Sequence, residues 1–380
     1  MQVHLDELAA AGLLRTERVL ESPCGPRVVL DGREVVCLCA NDYLGLANEP
    51  AVKAAVVEAV RRWGVGAGAS RLVSGTSAVH KELERRLAEF KHAQAAVVTS
   101  TGWMANHAAV HALVGEGDLV LCDKLNHASL LDAAFSSGAR VRTYAHRDID
   151  RARHLLERHR TEHRRCLIAT DSLFSMDGDF APLRELAELK GRFDAQLLID
   201  EAHATGVLGE GGRGLAELLG VEGQVDVTVG TLSKALGSLG GFVAGPSVLA
   251  ETLRNRGRAY IYTTAPPPAL CAGAIAALDI VQREPQRRRR LLAMAADLRR
   301  GLQAAGFDTG LSQSQIIPVM LGSPQRATTV SHALFEAGFL IPAIRPPTVP
   351  PNTSRLRISL SSSHEEGDVA RLVGAIKAVI

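Results

Sequence analysis

Between about residue 50 and residue 240 the chain alternates short apolar runs with longer stretches in which apolar residues recur at helical spacing. Ala95–Thr99, Asp118–Cys122, Val141–Tyr144, Cys166–Thr170, Leu197–Asp200, Val225–Val229 and Gly241–Ala244 read as strands, and their near-continuous hydrophobicity fits burial on both faces. Strands separated by helices in this way predict a mostly parallel sheet with helices on either side. Upstream, residues 1 to 45 predict a helical arm and two short strands, with Asp31-Gly32 as the hairpin turn between them. The breaker Ala265-Pro-Pro-Pro268 ends the alternating region. A long helical stretch then leads to Gln315-Ile-Ile-Pro-Val-Met-Leu321, a helix, Phe339-Leu-Ile-Pro-Ala-Ile344, Arg355-Leu-Arg-Ile-Ser-Leu360 and a last helix. This order predicts an arm over 1–45, a large domain over 46–284 and a smaller α+β domain over 285–380 built partly with the arm.

At 380 residues and 46% hydrophobic, the chain has enough apolar material for a large core and more than one domain. Its 43 basic and 41 acidic residues leave a formal charge of +2, too balanced for nucleic acid as the main partner. Cys24, Cys37, Cys39, Cys122, Cys166 and Cys271 are scattered without zinc spacing, which predicts free thiols in a reducing cytoplasm and no metal site. The start Met-Gln-Val-His-Leu-Asp-Glu-Leu lacks the pattern of a signal peptide. No apolar stretch reaches the roughly 20 residues that span a bilayer. A cytoplasmic protein is expected. The run Arg287–Arg290 reads as a solvated helix face, with attraction for an acidic carrier protein or coenzyme A as its functional alternative.

Candidate chemistry gathers behind the predicted strands. Lys234 follows a β-branched run and precedes Gly237, Gly240 and Gly241, so it stands in a small-residue pocket where an amine can lose solvation and become a Schiff-base nucleophile. Asp200 ends a buried strand, the edge where α/β folds place ligands, and His203 comes three residues later. A carboxylate there suits pyridoxal 5'-phosphate (PLP), because it keeps the pyridine nitrogen protonated, and His203 can bond the ring's phenolic oxygen. Asp200-Glu-Ala-His203 also spells a helicase box, but the chain has no phosphate loop of the G-x-x-x-x-G-K-[ST] kind. Gly209–Gly214 matches G-x-G-x-x-G yet follows a strand end through a loop, which argues against a dinucleotide. The glycine- and hydroxyl-rich stretch Gly64–Ser77 suits a loop packed close to a substrate or phosphate. Thr99–Asn106 joins a strand to a helix whose N-terminal amides can hold a phosphate, with Thr231 and Ser233 adding hydroxyls. His127 can stack on a planar ring, or can serve as a capping or core histidine. His107 and His111 have i, i+4 spacing but lack the Glu of H-E-x-x-H.

Six motifs in order, Asn41-Asp-Tyr-Leu-Gly-Leu46, Thr101-Gly-Trp-Met-Ala-Asn106, Asn126-His-Ala-Ser129, Phe174-Ser-Met-Asp-Gly-Asp179, Asp200-Glu-Ala-His203 and Thr231-Leu-Ser-Lys234, resemble the α-oxoamine synthases. The resemblance runs from about residue 10 to the C-terminus. It implies an α/β protein of PLP-dependent transferase fold type I, aspartate aminotransferase-like, that condenses an amino acid with an acyl thioester and releases carbon dioxide. Ala343-Ile-Arg345-Pro-Pro-Thr348-Val-Pro350 resembles the branch joining L-alanine to a pimeloyl thioester, carried by coenzyme A or an acyl carrier protein. Glycine- or serine-using sister activities and a non-catalytic PLP-binding regulator are the alternatives. The resemblance implies that Lys234 carries PLP, Asp200 pairs with its ring nitrogen, and His203 and Ser175 contact the phenolic side. It also implies that His127 stacks over the ring and that Gly102, Trp103 and Thr231 hold phosphate. Arg15, Asn41, His127, Arg345 and Thr348 fall on the substrate side, with Arg345 able to clamp a carboxylate bidentately. A homodimer is implied, in which Tyr262, Thr263 and Thr264 lend phosphate contacts to the partner. Trp103 departs from the usual Phe or Tyr.

Overall fold

The computed structural model describes every residue of the chain except His4. Two compact units emerge: Met1–Asn48 with Ser175–Asp179 and Gln286–Ile380, and Glu49–Phe174 with Phe180–Pro285. The first unit opens with helix α1 (Gln2–Ala10) and the hairpin β1 (Arg27–Leu30) and β2 (Arg33–Cys37). These two strands pair antiparallel from Arg27↔Val36 to Leu30↔Arg33. Asp31 at φ 54 and Gly32 at φ 70 make the two-residue turn, the left-handed geometry that matches the twist of the flanking strands.

The second unit contains α2 (Pro50–Trp63), α3 (Ala78–Phe90), β3 (Ala95–Thr99), α4 (Gly102–Leu113), β4 (Leu119–Asp123), α5 (Ala128–Ser136), β5 (Arg140–Tyr144) and α6 (Ile149–His159). It continues through β6 (Cys166–Asp171), α7 (Leu183–Arg192), β7 (Gln196–Asp200), α8 (Leu215–Leu219), β8 (Val227–Thr231), β9 (Gly241–Gly245), α9 (Ser247–Arg256), α10 (Arg258–Ile261) and α11 (Pro268–Arg283). Its seven strands form one sheet in the order β3-β9-β8-β7-β6-β4-β5. All pairs are parallel except those of β9, which runs against both β3 and β8. β4 and β6 are buried at every position, which their unbroken apolar patterns require. Against the sheet lies α4, whose Ala105, Ala108, Ala109 and Ala112 are buried side chains short enough to bring helix and strands close.

All seven expected strands exist, with ends shifted by up to two residues. The largest correction moves Val225–Val229 to Val227–Thr231; at Asp226 the side-chain carboxylate, rather than a backbone carbonyl, accepts the Leu197 N–H at 2.7 Å. Thr231 thereby becomes the last residue of its strand.

The first unit resumes with α12 (Pro285–Ala304), β10 (Ile316–Gly322), α13 (Pro324–Glu336), β11 (Phe339–Leu340), β12 (Ala343–Ile344), β13 (Ser354–Ser359) and α14 (Glu366–Val379). Its sheets are β1-β2-β11 and β10-β13-β12. The run Phe339–Ile344 divides into two short strands in different sheets, with Ile341 and Pro342 between them; proline brings no ladder N–H. The arginine run is only in part a solvated face, since Arg289 and Arg290 are exposed. Arg288 is buried, Arg287 donates to the Leu44 carbonyl, and Arg290 donates to the carbonyls of Ser362 and His364. Guanidinium forks there satisfy carbonyls that the last loop would leave bare.

Candidate active site

The carboxyl ends of β6, β7 and β8 open onto a cavity of about 260 Å³ lined by Gly102, Trp103, Asn106, His127, Asp171, Asp200, His203, Thr231, Ser233 and Lys234 among others. Lys234 stands on the loop from β8 to the antiparallel β9. Leu232 N–H to Gly240 O and Ser238 N–H to Leu232 O, both 2.9 Å, close that loop. Lys234 Nζ lies 2.7 Å from His203 Nε2. The loop carrying His203 is fixed by buried Glu201, which accepts from the Ser172 hydroxyl and from the Leu215 and Ala216 amides, each at 3.0 Å.

Asp200 is buried, and its two oxygens accept from Ala202 N–H at 2.8 Å and from Asn106 Nδ2 at 2.7 Å. Beside it in the parallel register is Asp171, whose Oδ2 accepts the His127 backbone N–H at 3.0 Å. Burial first, and then the Asp200 charge, push the Asp171 carboxyl well above the usual range, which favours its neutral form. Burial also depresses the His127 imidazole below its ordinary value, outweighing the pull of Asp200. His127 caps α5 through Nδ1, so the capping role and the place on the cavity wall hold together. The Trp103 indole meets the His127 ring edge-on at 6.2 Å and stacks on His107 at 5.6 Å.

The opposite end of the cavity is made for an anion. Thr101 caps α4 by accepting from Met104 N–H at 3.1 Å, and the amides of Gly102 and Trp103 open that helix. Thr231 Oγ1 and Ser233 Oγ, 2.7 Å apart, stand beside it. A Cβ on Gly241 would lie 2.4 Å from the Thr101 carbonyl oxygen and 2.7 Å from Gly102 N, so only glycine lets β9 approach the start of α4 this closely. An anion cradle, an amine, an imidazole and a buried carboxylate in one cavity fit PLP. Two further buried oxygens on the wall, Asn106 Oδ1 and Asp171 Oδ1, have no partner among the described residues.

Six of the expected residues therefore gather with Lys234 on one wall: Gly102, Trp103, His127, Asp200, His203 and Thr231. Thr263 and Thr264 do not line the cavity; the Thr264 carbonyl accepts from Ser100 Oγ at 2.8 Å. The other five lie in the first unit. There Arg15 Nη2 donates to Thr348 Oγ1 at 3.0 Å, Arg345 donates to the carbonyl of Gly12, and Arg357 joins Asn41 Oδ1 at 3.2 Å to the Ser175 carbonyl at 2.5 Å. Sequence reasoning missed Asp171 and the places of Asn106 and Ser129 on the cavity wall. Asp171 had a usable signal, since it ends the strand next to that of Asp200.

The profile of the aminotransferase class I and II family matches residues 33–376. An 8-amino-7-oxononanoate synthase of Geobacter sulfurreducens is 49% identical over 377 residues, covering 99% of this chain and 96% of that protein. A serine palmitoyltransferase variant from S. paucimobilis with bound PLP superposes with a TM-score of 0.94 at 33% identity, covering 100% of this chain and 96% of that one. The crystal structure of 8-amino-7-oxononanoate synthase from Francisella tularensis gives 0.78 at 27% identity, covering 90% and 97%.

Proposed function

The chain belongs to the aminotransferase class I and II family, and from that premise we propose that it is a PLP-dependent acyltransferase catalysing 8-amino-7-oxononanoate synthesis in the cytoplasm. The reaction condenses L-alanine with a pimeloyl thioester, on coenzyme A or an acyl carrier protein, releases carbon dioxide and the free thiol, and serves biotin formation. The observation that carries this reading is the cavity wall on which Lys234, His203, buried Asp200 and the N-terminus of α4 converge. Full-length identity of 49% to a synthase of that activity supports the substrate pair.

When bound, PLP supplies an electron sink for the pair left at the amino-acid Cα as a proton or carbon dioxide departs. Lys234 would hold it covalently, Asp200 would pair with its ring nitrogen, and the Gly102 and Trp103 amides with Thr231 would hold its phosphate. His203 and Ser175 would face its phenolic side. Lys234 Nζ, with His203 Nε2 at 2.7 Å to share the proton, removes and returns the hydrogen at Cα. His127 covers the reacting face, and the upward shift of the Asp171 carboxyl disfavours a second negative charge beside Asp200. Arg345 orients the amino-acid carboxylate, and Arg15, Asn41 and Thr348 complete the substrate side. A homodimer fits the exposed apolar side chains Val65, Leu72, Val73, Leu239 and Tyr262, with Thr263 and Thr264 of one protomer reaching the phosphate held by its partner.

The likeness to a serine palmitoyltransferase structure favours a sister activity as the second reading. Carbon dioxide release from PLP-loaded protein with pimeloyl-CoA and alanine, glycine or serine decides between them. Turnover with alanine alone is expected; preference for serine or glycine overturns the substrate assignment while keeping the lysine chemistry.

A further inference from the structure

Ser129 and Asn106 sit on the cavity wall without a part in the chemistry above. Their hydrogen bonds form a directed chain. Asp200 Oδ2 is a carboxylate oxygen that only accepts, so the Asn106 group 2.7 Å away is the amide NH₂. The same nitrogen lies 2.8 Å from Ser129 Oγ and donates its second hydrogen there. Ser129 Oγ then has its own hydrogen to give, and His127 Nδ1 is 2.7 Å away. The Ser129 backbone N–H also points at Nδ1, at 3.2 Å. Two donors on one ring nitrogen require that nitrogen to be the bare one.

We propose that Ser129, oriented by Asn106, is a positioning residue that fixes His127 as the neutral tautomer with its hydrogen on Nε2, ready to donate to a carboxylate or carbonyl oxygen of the substrate. This deepens the reading of the cavity as the PLP and substrate site and rests on it. Nε2 is the ring nitrogen on the side away from Ser129, and it has no hydrogen-bond partner among the described residues. The alternative tautomer presents a lone pair at Nε2 and repels the same oxygen. Protonation of the ring sets an Nδ1 hydrogen against two donors, and the N-terminal end of α5, which His127 caps, opposes a positive ring further. Burial acts in the same direction. A neutral N–H donor polarises a substrate oxygen without surrendering its proton, the use made of a neutral histidine at a helix N-terminus in other enzymes.

The test is ¹⁵N NMR of protein labelled at histidine, without substrate, with the His127 signals identified by their loss in His127→Gln. Nδ1 is expected in the unprotonated range and Nε2 in the N–H range. Ser129→Ala should shift the ring toward a tautomer mixture and lower kcat by about tenfold, the lower end of what removing a histidine-orienting partner costs at metal sites. PLP affinity should stay unchanged, and Ser129→Thr, which keeps the hydroxyl, should restore both tautomer and kcat. A hydrogen on Nδ1 in the unaltered protein overturns the proposal, as does an unchanged tautomer in Ser129→Ala. The tautomer is read without turnover, so it stands or falls separately from the choice of amino acid and thioester.

Discussion

In the proposed reaction the chemistry depends on Lys234, whose Nζ lies 2.7 Å from His203 Nε2. Lys234→Ala removes the proton-transferring group and should lower kcat by about 10²–10⁴ or more, measured as carbon dioxide release from protein saturated with PLP. Asp171 makes a prediction about pH. Its folded-state value is raised by burial and by Asp200, so the native protein keeps a proton that the unfolded chain gives up above 3.8. Between that pH and the raised value the native state binds more protons, and this contribution to stability falls as pH rises. Asp171→Asn keeps an oxygen for the His127 N–H and mimics the neutral acid. Its Tm at pH 8 should equal or exceed that of the unaltered protein, with a flatter pH dependence above pH 4; a lower Tm at pH 8 contradicts the neutral assignment. His127 has the opposite sign, because its depressed value makes stability fall as pH drops below the ordinary imidazole range. Lys234, Asp200 and His127 were legible in the sequence since each follows an apolar strand. The burial of Arg357 was not, because burial of an arginine inside a strand is decided by the carbonyls of distant residues, among them Ser175.

Strands of the central sheet were legible because parallel strands buried on both faces write unbroken apolar runs. Their ends were less so: β8 ends at Thr231, two residues beyond the expected strand end, although the Thr231 hydroxyl was already expected beside the start of α4. The packing of β9 on that helix start depends on Gly241. Gly241→Ala places a methyl 2.4 Å from the Thr101 carbonyl oxygen and should displace the Gly102 and Trp103 amides. PLP affinity, followed by fluorescence quenching on titration, should fall while the secondary structure seen by circular dichroism stays intact. The loop from Gly64 to Ser77 has a different support. Arg71 is buried, donates to the Val98 carbonyl and to Thr76 Oγ1, and pairs with Glu84 at 2.8 Å. Arg71→Met leaves Glu84 buried with less compensation and should cost about 3–5 kcal/mol in denaturant unfolding. Composition suggested a ligand loop there; the buried ion pair behind it could not be read from spacing alone.

At the scale of the whole molecule, the exposed apolar side chains of the larger unit are the clearest unexplained feature of its surface. Leu72 is 52% exposed and Val73 81% exposed, and in the proposed homodimer they would lie against the partner. Charging both, Leu72→Asp with Val73→Asp, should convert a dimer to monomer in sedimentation velocity and weaken PLP binding; a double variant that stays dimeric contradicts the assignment of that surface. Among the described residues no helix is long and apolar enough to cross a membrane. The aminotransferase class I and II profile spans residues 33–376, parts of both compact units, and the candidate site lies on the larger one. In the proposed function this cavity holds PLP on Lys234. Borohydride reduction of PLP-loaded protein, followed by peptide mass mapping, tests it most directly. A single pyridoxyl modification is expected on the peptide containing Lys234, absent from Lys234→Ala; modification at another lysine, or none, overturns the proposed role of Lys234.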